Sequence, residues 1–102
     1  AGAVRECREE LGVTIDIPAT PVLIDWMPPA LGWSDAIEFI YAAGVVEPSL
    51  AAIMNPADGE IGHLHWVDPA DVPAHVTELS ARRIAAILAD PPPRATENGF
   101  SL

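Results

Sequence analysis

The sequence predicts an α+β domain in which helices cover a mixed sheet. Two segments have helical spacing, one at the start of the chain and one near its end, and segments rich in β-branched and apolar residues lie between them. Hydrophobic residues make up 50% of the 102 residues, which is enough for the core of one domain or most of one. No apolar run is long enough to cross a membrane.

The first helix is predicted within the first thirteen residues, and residues 5–13 are its most informative part. Because each residue of a helix advances about 100° around the axis, three acidic side chains share one side: Glu6, Glu9 and Glu10. The opposite side is apolar and carries Val4, Cys7 and Leu11. Like charges at this spacing repel, and Arg5 lies four residues before Glu9, where it can offset part of the repulsion. Gly12 is placed to end the helix in a left-handed C-cap.

Strands are predicted in the middle of the chain. Residues 13–17 and 21–26 are rich in β-branched residues but interrupted by prolines, which indicates a strand broken at an edge or a bulge. Residues 27–35 contain two prolines and a glycine and predict a loop. Residues 36–46 are almost wholly apolar and predict a strand buried on both faces.

The next segment has shorter elements. Residues 47–49 break the preceding strand, and residues 50–54 fit either a helical turn or a strand. Residues 55–59 predict a turn. A further strand is predicted at residues 60–67, with alternate side chains on opposite faces.

The last part of the chain predicts two helical segments and a tail. Asp68 can cap a short helical turn that has Pro69 at its first position. Apolar residues at helical spacing predict a helix at residues 77–89, ended by three consecutive prolines. We therefore expect a domain over residues 1–90 and a C-terminal tail at residues 91–102.

The net charge and the cysteine content indicate which partners and which compartment the chain is suited to. The sequence has fifteen acidic residues and five basic ones, all arginine, which gives a formal charge of −10. This charge disfavours binding to nucleic acid or to an anionic membrane, and it would repel a phosphate substrate unless divalent cations lay between them. Cys7 is the only cysteine, and no secretory signal is visible, so we expect no intrachain disulfide and a cytoplasmic location.

The run Arg5-Glu6-Cys7-Arg8-Glu9-Glu10-Leu11-Gly12-Val13 resembles the second half of the Nudix box, Arg-Glu-U-x-Glu-Glu-x-Gly-U, where U is apolar. All seven specified positions agree, and the first half of that box would precede residue 1. A weaker resemblance continues through residues 25–29, Phe39, residues 60–68 and Glu97-Asn98-Gly99. The chain thus looks like the C-terminal two-thirds of a Nudix domain, whose fold is an α/β/α sandwich with a mixed sheet, truncated at the N-terminus.

The resemblance implies a metal-dependent pyrophosphohydrolase that splits a nucleoside diphosphate linked to another moiety. By this resemblance Glu9 and Glu10 are the principal ligands of Mg²⁺ or Mn²⁺, and Glu6 is a further ligand or the general base. Glu6, Glu9 and Arg5 are then the catalytic residues, with Arg5 orienting the glutamates through ion pairing. Glu60 is either an additional metal ligand or an ordinary polar residue after an Asp-Gly turn. The family also implies that a homodimer can form.

Other residues admit two interpretations each. Trp26 and Trp33 flank the proline-rich loop, where either could stack on the nucleobase of a small-molecule nucleotide substrate or simply anchor the loop by packing. His63 and His65 lie two residues apart, but a structural zinc site normally needs four ligands, and the sequence offers no second cluster.

The function itself has two alternatives. One is a non-catalytic Nudix-like module that binds a nucleotide or a protein. The other is an acidic interaction domain whose glutamates only increase solubility. Because the upstream half of the box would precede residue 1, activity can require residues that this chain lacks.

Overall fold

The computed structural model describes residues 2–55 and 63–102. Its helices are α1 (Gly2–Leu11), α2 (Pro48–Ile53) and α3 (Glu78–Leu88), with a 3₁₀ helix at Pro69–Ala74. Its strands are β1 (Leu23–Met27), β2 (Ala36–Ile40), β3 (Ala95–Glu97) and β4 (Phe100–Ser101). These elements confirm the α+β class. The chain divides into two compact units: unit 1 is Ala1–Ala19 with Tyr41–Trp66, and unit 2 is Thr20–Ile40 with Val67–Leu102.

Unit 1 begins with the predicted helix. Gly12 ends α1 with a φ of +72°, and its N–H donates to the carbonyl of Arg8 at 3.1 Å, as a left-handed C-cap does. After the helix, Val13 and Ile15 are buried while Thr14 between them is exposed. This alternation is strand-like, but residues 13–17 form no strand, so that part of the predicted strand is wrong.

Two further predictions, for residues 50–54 and 60–67, have different outcomes. Residues 50–53 of the ambiguous segment lie in α2, which has Glu47 as its N-cap residue and Pro48 at the first helical position, and Met54 follows the helix as its C-cap residue. The strand predicted at residues 60–67 is wrong for residues 63–67, which have no regular secondary structure. Alternation of apolar and polar residues is only a local signal, and a strand also needs a neighbour to pair with. Residues 56–62, which include most of the predicted turn, lie outside the described part of the chain.

Unit 2 is built on a four-stranded mixed sheet in the order β2-β1-β3-β4. β1 pairs antiparallel with β2 and parallel with β3, and β3 pairs antiparallel with β4. β2 is therefore an edge strand. It ends at Ile40, where the prediction extended to residue 46, and Ile37 and Phe39 are 59% and 55% exposed. The prediction of a strand buried on both faces is wrong because an apolar run does not reveal whether a second layer covers it.

The C-terminal segment belongs to the sheet and is not a free tail. Glu97 and Phe100 are register partners, so β3 and β4 are joined by the two residues Asn98 and Gly99. Both have positive φ values, +49° and +80°, which is what the favoured two-residue hairpin turn requires. Thr96 of β3 is 1% exposed, so this segment contributes to the interior of unit 2.

The helical segments of unit 2 follow the prediction. Asp68 accepts a hydrogen bond from the N–H of Ala70 at 3.0 Å, and Thr77 accepts one from the N–H of Ser80 at 3.2 Å. These N-caps start the 3₁₀ helix and α3 respectively. Helix α3 lies close to β1 and β4. Within the described residues, the helices are too short and too polar for any of them to cross a bilayer.

Candidate functional site

The predicted acidic face of α1 is present as a surface of unit 1. Glu6 and Glu9 are exposed and Glu10 is half-buried, whereas Val4, Cys7 and Leu11 on the other side are half-buried. On an ideal helix, the three glutamates span about 100° around the axis. We call Glu6, Glu9 and Glu10 the acidic face; its exposed carboxylates can receive a hydrated cation without disturbing the apolar side of the helix.

Arg5 lies beside this face but pairs differently from the expectation. Its Nη2 atom lies 3.4 Å from Oε1 of Glu6, with both side chains more than half exposed. The expected pair with Glu9 is not among the ion pairs of the described residues. An exposed pair of this kind contributes at most about 1 kcal/mol to stability. Its effect is therefore mainly to lower the repulsion around Glu6.

The acidic face does not form a compact metal cage. Within residues 2–55 and 63–102, no three His, Cys, Asp or Glu side chains are grouped closely enough to hold a metal ion. Glu60, the predicted further ligand, lies outside the described residues. The oxygen donors nevertheless suit Mg²⁺, which commonly takes only one or two protein carboxylates and completes its shell with water and substrate phosphate oxygens.

The two predicted substrate-binding tryptophans both belong to unit 2 but have different surroundings. Trp26 lies in β1 and is 40% exposed, paired in register with Ile37 and Glu97. Trp33 is 80% exposed and follows a tight turn, in which Ala30 and Trp33 exchange backbone hydrogen bonds of 3.2 and 2.9 Å. Trp33 is therefore the more accessible of the two for stacking on a ligand.

His63 and His65 are exposed residues of unit 1. Their ring centroids lie 6.3 Å apart, and the ring planes are tilted by 51°. Cys7, a free cysteine, is half-buried on the apolar side of α1.

A polar cluster that the sequence did not single out lies inside unit 2. Asp25 of β1 has no exposed surface, and it accepts three hydrogen bonds. The Thr96 hydroxyl and the Gly99 N–H donate to its Oδ1 atom at 2.6 and 2.8 Å, and Nε of Arg83 donates to its Oδ2 atom at 2.6 Å. We call these four residues the Asp25 cluster.

The partners of Asp25 stabilise its charged form. Burial alone would raise the pKa of Asp25, but the hydrogen bonds from Thr96, Gly99 and Arg83 and the positive charge of Arg83 outweigh it, so the pKa lies below its usual value. Gly99 cannot be replaced easily, since a Cβ atom there would lie 2.6 Å from Cβ of Arg82. With its oxygens already paired, Asp25 is a structural anchor of the sheet and is poorly placed to act as a base or metal ligand.

One sequence signal could have revealed part of this cluster. Asp25 alternates with Leu23 in β1, so it was bound to lie on the same, buried face as Leu23. A buried carboxylate must find donors, but the donors come from residues 58 to 74 positions away, and no local pattern identifies them.

Comparison with known proteins adds no assignment. The chain matches no family model, no curated protein and no solved structure.

Proposed function

We propose that this chain is part of a Nudix-type pyrophosphohydrolase, which uses Mg²⁺ or Mn²⁺ to split a nucleoside diphosphate linked to another group. The observation that carries the proposal is the nine-residue run at residues 5–13, whose seven specified positions match the second half of the Nudix box. Its support from the structure is local: the run forms a helix that ends at Gly12 and presents its acidic face to solvent.

The proposed roles follow the positions of the side chains. Glu9 and Glu10 would hold the cation, and Glu6 would be a further ligand or would take the proton of the attacking water. Arg5, 3.4 Å from Glu6, would keep that carboxylate oriented, a task that suits the planar guanidinium group. When bound, the cation would supply charge neutralisation of the diphosphate and a lower pKa for its bound water.

The charge of the whole chain supports dependence on a cation. A formal charge of −10 opposes the approach of a polyphosphate, and the repulsion is reduced when divalent cations neutralise carboxylates and phosphates together. A cytoplasmic location fits the proposal, since the free Cys7 is stable in a reducing compartment.

The first test is cation binding by the chain itself. We expect saturable Mn²⁺ binding by calorimetry or electron paramagnetic resonance, weakened by about tenfold or more in Glu9→Gln and in Glu10→Gln because each loses a charged oxygen ligand. Glu47→Gln is the matched control, because Glu47 is exposed in the same unit and makes no capping hydrogen bond. Unchanged Mn²⁺ affinity in both variants would remove the basis of the proposal.

The second test is catalysis by the intact protein. Nucleotide sugars, ADP-ribose, dinucleotides and nucleoside triphosphates form the substrate panel, each assayed with Mg²⁺ and with a chelator. We expect Mg²⁺-dependent release of a nucleoside phosphate from at least one substrate, and a loss of about 100-fold or more in kcat when a principal ligand is removed. Failure of the whole panel together with normal Mn²⁺ binding would favour the second candidate.

The second candidate is a Nudix-like module that binds a nucleotide without hydrolysing it. The observation that favours it is Trp33, which is 80% exposed and can stack on a base without any cation. It predicts that a nonhydrolysable nucleoside diphosphate analogue binds with micromolar to millimolar affinity while no product appears over many hours.

A further inference from the structure

A second candidate site lies in unit 2, at the loop that follows β1. A surface cavity of about 350 Å³ is lined there by both apolar and polar side chains, among them Met27, Pro28, Leu31, Trp33, Ser34 and Asn98. This volume is at the lower end of the range found for small-molecule sites, which are mostly apolar with a few polar groups that fix orientation. Trp26 is not among the residues that line it.

The backbone at this cavity is held in an unusual conformation. Leu31 and Asn98 are the two non-glycine residues with positive φ, at +50° and +49°, in the part of the chain that the structure describes, and both line the cavity. Positive φ is well tolerated by Asn but is costly for a bulky residue such as Leu. Such outliers tend to cluster at functional sites, where the conformation itself is needed.

Each of the two turns has a fixed geometry. Leu31 and Gly32 form the turn closed by the backbone bonds between Ala30 and Trp33, which places the Trp33 indole beside the cavity. On the other side, the Asn98 N–H donates to the carbonyl of Trp26 at 2.9 Å, and Nε of Arg82 donates to the Asn98 carbonyl at 2.8 Å. The Asn98 backbone is thus fully engaged, whereas its side-chain amide makes no hydrogen bond with the described residues.

We propose that this cavity binds an adenine ring, with Trp33 stacking on its face and the Asn98 amide reading its edge. An indole offers a flat apolar surface on which any base can stack. The Asn amide offers one donor and one acceptor side by side, a pattern that adenine can meet bidentately with its amino group and an adjacent ring nitrogen. The cavity is small and largely apolar, so it suits the base and leaves the rest of a nucleotide outside.

This inference goes beyond the proposed function, since it rests on residues of unit 2 alone, and its test is independent of hydrolysis. Adenosine carries no phosphate, and the titration is done on the intact chain in a buffer with chelator and no divalent cation. Binding is followed by calorimetry or by saturation-transfer NMR of the adenine protons. The variant Glu9→Gln should bind adenosine as the wild type does, so a failure of the catalytic proposal leaves this result intact.

Two variants and one ligand analogue define the expected result. Trp33→Ala should weaken adenosine binding by about tenfold or more, whereas Trp66→Ala, which removes a similarly exposed indole in unit 1, should not. Purine riboside lacks the amino group of adenosine, and we expect it to bind about fivefold more weakly because one edge hydrogen bond is lost. That difference should disappear in Asn98→Gly, which keeps a residue that accepts positive φ.

Three outcomes would overturn the proposal. The first is no saturable binding of adenosine up to about 10 mM, which is beyond the affinity expected of stacking plus hydrogen bonding. The second is equal affinity of the wild type and Trp33→Ala, with circular dichroism showing both folded. The third is a change in sedimentation mass in Trp33→Ala while adenosine leaves the sedimentation mass of the wild type unchanged. The cavity would then hold a second copy of the chain.

Discussion

Asp25 shows how much of unit 2 depends on one buried charge. Its carboxylate has no exposed surface and accepts three hydrogen bonds, one of them from Arg83. Removing a buried charge from such a pair leaves its partner uncompensated, and one amino group of Arg83, Nη2, already lacks a partner among the described residues. Removing the Asp25 carboxylate should therefore lower the free energy of unfolding, because the half-buried Arg83 charge would lose its partner.

We predict that Asp25→Asn lowers the free energy of unfolding by about 3 kcal/mol. Both carboxylate oxygens accept hydrogen bonds, and the NH₂ group of Asn would place a donor against one of these donors. The measurement is urea denaturation at pH 7 followed by circular dichroism. Asp35→Asn is the control, since Asp35 is exposed in the same unit. A loss as small as that of the control would show that the cluster does not hold the sheet together.

The same residue should give the stability a pH dependence at acid pH. The folded-state pKa of Asp25 lies below its usual value, which is about 3.9 in unfolded chains. Its contribution is therefore fully present above about pH 4 and is lost as the pH falls through the folded-state pKa. We expect the stability difference between the wild type and Asp25→Asn to shrink below about pH 4. A difference that stays constant from pH 7 down to about pH 2.5 would contradict this assignment, because the unfolded-state carboxyl becomes protonated below about pH 4.

Single residues also mark the limit of sequence reasoning. The place of Glu6, Glu9 and Glu10 on one side of a helix could be predicted because the helical period fixes it. The partners of Asp25 could not, because Thr96 lies 71 positions away. The sequence indicates only that Trp33 flanks a proline-rich loop. It does not predict the cavity, because Asn98 reaches this place through strand pairing between distant segments.

At the scale of elements, those with local signals were predictable. α1 ends at Gly12, and α3 begins after Thr77, because a glycine C-cap and a threonine N-cap act within a few residues. The β3–β4 hairpin also has a local signal, since Asn-Gly is the strongest two-residue hairpin signal, although the expectation for residues 91–102 is a tail. The failed strand at residues 63–67 lacked any such local marker.

Thr77 gives a test of the N-cap of α3. We predict that Thr77→Ala lowers the free energy of unfolding by about 1 kcal/mol, because the Ser80 N–H loses its acceptor. The measurement is thermal or urea unfolding. Thr20→Ala is the matched control, because Thr20 is exposed in the same unit and caps no helix. Equal effects of the two substitutions would show that the hydrogen bond at 3.2 Å does not stabilise the helix.

The described part of the chain has few buried hydrophobic residues for its composition. The buried hydrophobic residues in the described part are Val13, Ile15 and Leu23, whereas many large apolar side chains are exposed, including Ile37 and Phe39. The order of helical and strand-like segments predicted the α+β class, because both periodicities are local signals. Neither the order nor the apolar content could predict which apolar residues would be covered, since burial depends on layers contributed by distant segments.

Net charge makes a prediction for the whole molecule. A formal charge of −10 raises the local concentration of divalent cations around unit 1 and unit 2 alike, and salt screens this attraction over a Debye length of about 10 Å at 0.1 M and about 3 Å at 1 M. If the acidic face of α1 binds Mn²⁺, its affinity should fall by about three- to tenfold when NaCl is raised from about 0.05 to 0.5 M. Calorimetric titration at both salt concentrations measures this change, with sodium replaced by tetramethylammonium to exclude direct competition. A Glu9→Gln variant that keeps the same salt dependence and the same affinity would place the bound cations in the diffuse field of the protein and not on the helix.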